Sequence, residues 1–143
     1  MQLTINFPKH IDPDLQKIKL TTHICKSIEK FMSLPEYLTI EFLEMYPNTY
    51  GETSLDHKSM KKVRLNIDLS VNDLLIPLVH ELIHVNQMHT GKLLMSHSGV
   101  YVWENTTYLY QSTILPYKDY KQLPWEVDVD NRQPEILEQL FNL

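Results

Sequence analysis

The residues able to do chemistry in this chain lie in His80-Glu81-Leu82-Ile83-His84. Helix positions i and i+4 stand one turn apart on the same face, so two imidazoles at this spacing can reach one metal ion. The glutamate directly after the first histidine then points at a water near that ion rather than at the ion itself. Paired imidazoles suit zinc, and a carboxylate beside an activated water is the general base that amide hydrolysis needs. Catalytic zinc sites use three protein ligands and leave one position open, so a third ligand must come from elsewhere in the chain.

A histidine at the metzincin spacing is absent, since His89 and Gly91 do not fit that pattern. Two glutamates compete for the role. Glu104 has nearly the spacing of thermolysin-like and aminopeptidase-like enzymes but lies in a β-prone run. Glu126 lies in Pro124-Trp125-Glu126-Val127-Asp128-Val129-Asp130, where Pro124 suits a helix start. Asp130 falls one turn after Glu126 and could accept the free N–H of a ligand histidine. Glu126 is therefore favoured, with Glu104 as the alternative. Tyr101, Tyr117, Tyr120 and His97 are candidate donors to a developing oxyanion. Gln87, three residues after His84, could line the cleft or cap the helix end.

Several elements must position these groups. Leu74, Leu75, Leu78, Val79, Leu82, Ile83 and Val85 form a helical apolar stripe around the histidines, and Gly91 ends it. Ser70-Val71-Asn72-Asp73 resembles a capping box, and Pro77 implies a kink or a broken first turn. Upstream, Leu3, Ile5 and Phe7 predict a short strand, and Asp12-Pro13-Asp14 opens a helix that Pro35 closes. Tyr37–Tyr46 and Met60–Leu69 predict two further strands. The second alternates cleanly between Val63, Leu65, Ile67, Leu69 and Lys62, Arg64, Asn66, Asp68. It reads as an antiparallel strand with one wet face, suited to a sheet edge and to pairing with an extended substrate. Pro47–Gly51 is a turn. Val100–Trp103 and Thr106–Tyr110 predict a hairpin turning at Glu104-Asn105, and Pro116 and Pro124 bracket a loop. A last helix starts near Trp125, and Pro134 should break it.

Composition narrows the class. The 143 residues fit one domain spanning 1–143, and 43% hydrophobic content supports a folded core. A net charge of -5 argues against nucleic-acid and anionic-membrane partners. The N-terminus has no signal-peptide pattern, and no segment has the apolar length of a membrane span. Cys25 alone cannot form an intrachain disulfide. These features lead us to expect a soluble, cytoplasmic protein.

The ordered motifs His80–Gln87, Gly91, Tyr101-Val102-Trp103 and Pro124-Trp125-Glu126 resemble those of the small gluzincin-type metallopeptidase-like proteins of tailed phages. The resemblance covers Leu78 to about Gln133. It departs from the family's pattern at Val127-Asp128-Val129, where a small residue such as Ala is common. It implies Glu126 as third ligand, Zn2+ as cofactor and, for a phage-encoded chain, the host cytoplasm. The expectation is a single α+β zincin-like domain: a small sheet with an N-terminal helix, a metal-site helix and a C-terminal helix. Its function would be zinc-dependent hydrolysis of a protein or peptide, with Glu81 as general base. The alternative is a weakly active or inactive zincin fold serving as an interaction protein.

Overall fold

The computed structural model describes residues 1–55, 60–95, 99–109 and 117–141. The architecture is α+β. A four-stranded sheet is built from β1 (Gln2–Asn6), β2 (Tyr37–Leu43), β4 (Lys61–Asn66) and β3 (Gly51–Leu55), in that spatial order. The strand β1 runs parallel to β2 and β2 parallel to β4, with β3 antiparallel to β4 at the edge. A second sheet joins β5 (Leu93–Met95), β6 (Val100–Trp103) and β7 (Thr106–Leu109), all antiparallel. The helices are α1 (Leu15–Ile28), α2 (Leu75–His89), α3 (Tyr117–Lys121) and α4 (Pro124–Phe141).

Alternation builds the first sheet. Leu38, Ile40 and Phe42 of β2 and Val63 and Leu65 of β4 are buried in one core with Ile24, Ile28, Leu78, Leu82 and Val129. Burying each such side chain contributes roughly 1.5–3 kcal/mol. The opposite face carries a charged ladder, with Glu41 3.3 Å from Lys62 and Arg64 3.0 Å from Glu52. Lys17 is buried, and its ammonium donates to the Ile67 carbonyl at 2.6 Å. Burial, aided by the Glu29 charge, pushes the Cys25 thiol up to about 12, so Cys25 packs as a small hydrophobe.

Several expectations need correction: the segment between Pro116 and Pro124, read as a loop, holds the short helix α3, and β4, read as antiparallel, pairs parallel to β2 and antiparallel only to β3. The strand rich in Lys62 and Arg64 is interior, because β3 covers its outer side; the sheet edge next to it is β3. Asp14, one residue beyond the expected proline, caps α1 by accepting from the backbone N–H groups of Gln16 and Lys17. Pro134 does not break α4, which runs through it to Phe141. Pro134 and Asp130 are both exposed, so water can satisfy the Asp130 carbonyl that loses its helical partner. Pro77 falls in the first turn of α2, where no N–H is needed. A separate 3-10 turn, Val71–Asp73, precedes it, with the Ser70 hydroxyl accepting from the Asp73 N–H at 3.3 Å.

Candidate metal centre

The helix α2 is almost wholly buried from Leu78 to Met88. Leu78, Leu82 and Val85 anchor it in the main core, which sets the rotation that turns His80 and His84 toward α4. The two rings lie edge to face with centroids 4.9 Å apart. Glu126 is the third residue of α4, where the helix dipole favours a carboxylate, and it is only 1% exposed. Trp125 fixes this end of α4 by packing against Tyr101 and Tyr108 of the β6–β7 hairpin, at 5.3 and 5.5 Å between centroids.

One ligand atom each from His80, His84 and Glu126 lies within 4.8 Å of the others, so these three residues could hold a metal ion. His84 Nε2 is 3.0 and 3.1 Å from the two Glu126 oxygens, and His80 Nε2 is 3.5 Å from Oε2. Burial works to raise the Glu126 carboxyl, but hydrogen bonds from His80, His84 and Tyr120 and the His84 charge drive it well below the usual carboxylate range. Glu81 is 6% exposed and borders the same cleft. Burial raises its carboxyl above the ordinary value, against opposing effects of His84, His80 and Thr53. The site therefore places two carboxylates out of water side by side. With neutral imidazoles the ionised cluster carries two negative charges, which a divalent cation would balance. Two imidazoles and a carboxylate are a donor set that suits zinc.

His84 binds protons more tightly than a free imidazole. Burial opposes its charge, but the Glu126 hydrogen bond and charge, then Glu81 and Gln87, outweigh that and raise it from 6.5 to about 9. In metal-free protein the stabilisation from this pairing is complete below 6.5 and lost as pH rises through about 9. A ligand histidine must be deprotonated. Metal uptake between these pH values should thus release a proton, and affinity should climb about tenfold per pH unit before flattening above pH 9. Affinity independent of pH across that window, measured by chelator competition, would mean that His84 is already neutral.

The edge strand β3 holds Glu81. The Thr53 hydroxyl is 2.9 Å from Glu81 Oε1 and 3.2 Å from the Glu81 carbonyl. A Cβ on Gly51 would stand 3.1 Å from Glu81 Cγ, so glycine admits the glutamate close to the strand. Oε2 is left on the side of His80, 3.9 Å from Nε2. Thr53→Val should cost about 1–3 kcal/mol in chemical denaturation, the usual cost of orphaning a buried polar group, and Thr53→Ser much less. Equal stability of wild type and Thr53→Val would show that the contact contributes nothing.

The other expected residues separate. Glu104 sits at the hairpin turn with φ 45°, beside Lys92 at 3.9 Å, away from the histidines. Asp130 is exposed and pairs with Lys121 at 3.0 Å instead of reaching a ligand histidine. Its assigned role fails because α4 turns that side toward α3 and solvent. Gln87 takes the place beside the ring, 2.8 Å from His84 Nδ1. The visible signal was its position three residues after His84, on nearly the same face. Thr53 gave no signal. Tyr120 borders the cleft and bonds Glu126, and Tyr101 lines the same cleft. Tyr117 opens α3, but its side chain and all of His97 lie outside the described residues. The cleft holds about 350 Å³ between β3, the side chains of His84 and Glu126, and an apolar wall of Leu93, Met95 and Trp125.

No protein-family profile matches the chain, and comparisons with curated proteins and with solved structures find no match.

Proposed function

We propose that this chain is a zinc-dependent metallopeptidase of the gluzincin kind, similar to the small phage-type members. The convergence of His80, His84 and Glu126 within 4.8 Å carries the reading, because it joins residues distant in sequence into one three-ligand set. The Glu81 carboxylate beside that set supports hydrolysis over simple metal storage.

Zinc, when bound, supplies Lewis acidity that polarises a carbonyl and acidifies water. The chain's own groups supply the proton transfers and alignment. Glu81 takes the proton of the attacking water and returns it to the leaving amine nitrogen. Thr53 ties up Oε1, which leaves Oε2 for that work. Of the tyrosines lining the cleft, Tyr101 is the candidate donor toward the developing oxyanion, since the single hydroxyl proton of Tyr120 goes to Glu126. The strand β3 lines the cleft as a sheet edge, so an extended peptide can pair with it. A net charge of -5 supports a peptide over a nucleic acid as substrate. No helix among the described residues is long and apolar enough to cross a membrane.

Elemental analysis of purified protein should find about one zinc per chain. A proteomic cleavage screen of cell lysate, with Glu81→Gln as the control, should then find peptides made by wild type alone. Zinc without any wild-type-specific cleavage would leave a metal-binding interaction module in place of a peptidase.

A further inference from the structure

We propose that Gln87 is the positioning residue of this centre: it fixes which nitrogen of His84 faces the ligand cluster and ties that choice to the docking of α4. The proposal rests on the metal-centre reading of the same site.

Gln87 is fully buried. Its amide nitrogen donates to the Trp125 carbonyl and to Asp128 Oδ2, both at 2.9 Å. Both partners can only accept, so the nitrogen must face α4 and the amide oxygen must face His84. That oxygen, 2.8 Å from His84 Nδ1, can only accept in turn. Nδ1 therefore carries a hydrogen, and in the neutral ring the lone pair falls on Nε2, the nitrogen beside Glu126. Trp125 and Asp128 flank Glu126 on α4, so one docking event delivers the third ligand and sets the tautomer of the second.

The arrangement is braced further out. Arg132 donates to Asp128 Oδ2 at 3.2 Å and to Asn86 Oδ1 at 2.8 Å. Asn86 donates in turn to the Ser33 carbonyl at 2.8 Å. A neutral amide also suits the place electrostatically. A carboxylate there, with Asp128 still charged beside it, would add a further negative charge to a pocket that already buries Glu81 and Glu126.

The test is zinc affinity by competition with a chromophoric chelator. Gln87→Met keeps the length but cannot accept from Nδ1, and should weaken zinc about 10–100-fold. The double variant Gln87→Glu with Asp128→Asn keeps the acceptor and the charge count, with the hydrogen bond between residues 87 and 128 reversed and the Arg132 bond to Oδ2 given up. It should bind within about threefold of wild type, as the acceptor at Nδ1 is what matters. If Gln87 only glued α2 to α4, the double variant would bind zinc as poorly as Gln87→Met, because it too loses the Trp125 bond; that result overturns the proposal. Wild-type affinity in Gln87→Met overturns it as well. If Gln87→Met does not fold, the double variant decides alone by the same criterion. Wild type that takes up no zinc removes the metal centre and this proposal together. The expected order of affinities in a protein that cleaves no peptide would support the proposal and remove only the hydrolytic reading.

Discussion

Glu81→Gln is expected to keep zinc and fold while losing peptide cleavage by several orders of magnitude. General base catalysis alone contributes roughly 10²–10⁴-fold, and in the proposed mechanism both proton transfers run through one side chain. The structure makes the variant a clean one. A glutamine oxygen can still accept from Thr53 at the place of Oε1, and the side-chain volume is unchanged. Burial raises the Glu81 carboxyl, so its ionised form is costly where it stands. Removing that charge should leave thermal stability equal or higher, the usual trade between stability and activity at a working site. A stable, zinc-loaded Glu81→Gln giving the same products at the same rate as wild type would refute the mechanism.

Legibility in the sequence followed the strength of periodic burial. The strands β1, β2 and β4 and the helices α1 and α2 each carry apolar residues at a period that only one element type satisfies. The β6–β7 hairpin was legible from β-branched and aromatic runs, even though its turn uses Glu104 and Asn105 at positive φ rather than the usual glycine. The strand β3 was not. Gly51-Glu52-Thr53-Ser54-Leu55 has no apolar alternation because it lies at an edge, held by β4 on one side and by α2 beneath. Hiding β3 also hid Thr53 and made β4 look like the edge. The helix α3 was hidden by its length, five residues without an apolar stripe. At the candidate metal site, His80, Glu81 and His84 share one helix, so their spacing alone could suggest them. Glu126 required a judgement about local structure, that Pro124-Trp125 begins a helix. The partner of His84 Nδ1 was beyond that judgement. Choosing between Asp130 and Gln87 depends on how α4 rotates against α2, a packing outcome with no local signature.

Glu126→Ala should weaken zinc by more than the roughly 10–100-fold typical of changes around the ligands, because it removes a proposed ligand itself. His80→Ala and His84→Ala should do the same, while Glu104→Ala should leave affinity unchanged. The contrast follows from burial and geometry. Glu126 is 1% exposed with both oxygens about 3 Å from His84 Nε2, whereas Glu104 projects from a hairpin turn toward Lys92. Asp130→Asn should also be silent, since it disturbs only an exposed pair with Lys121. Glu126→Ala removes the partner that keeps a charged His84 favourable, so the metal-free variant should lose stability as well. Glu126→Gln separates the two effects, because it keeps a hydrogen-bonding oxygen near His84 but offers a far poorer ligand. Zinc affinity that falls in Glu104→Ala and holds in Glu126→Gln would move the third ligand to the hairpin. The structure could accommodate that only by a rearrangement of β6 and β7 around Trp125, which would also undo the aromatic packing that now fixes the start of α4.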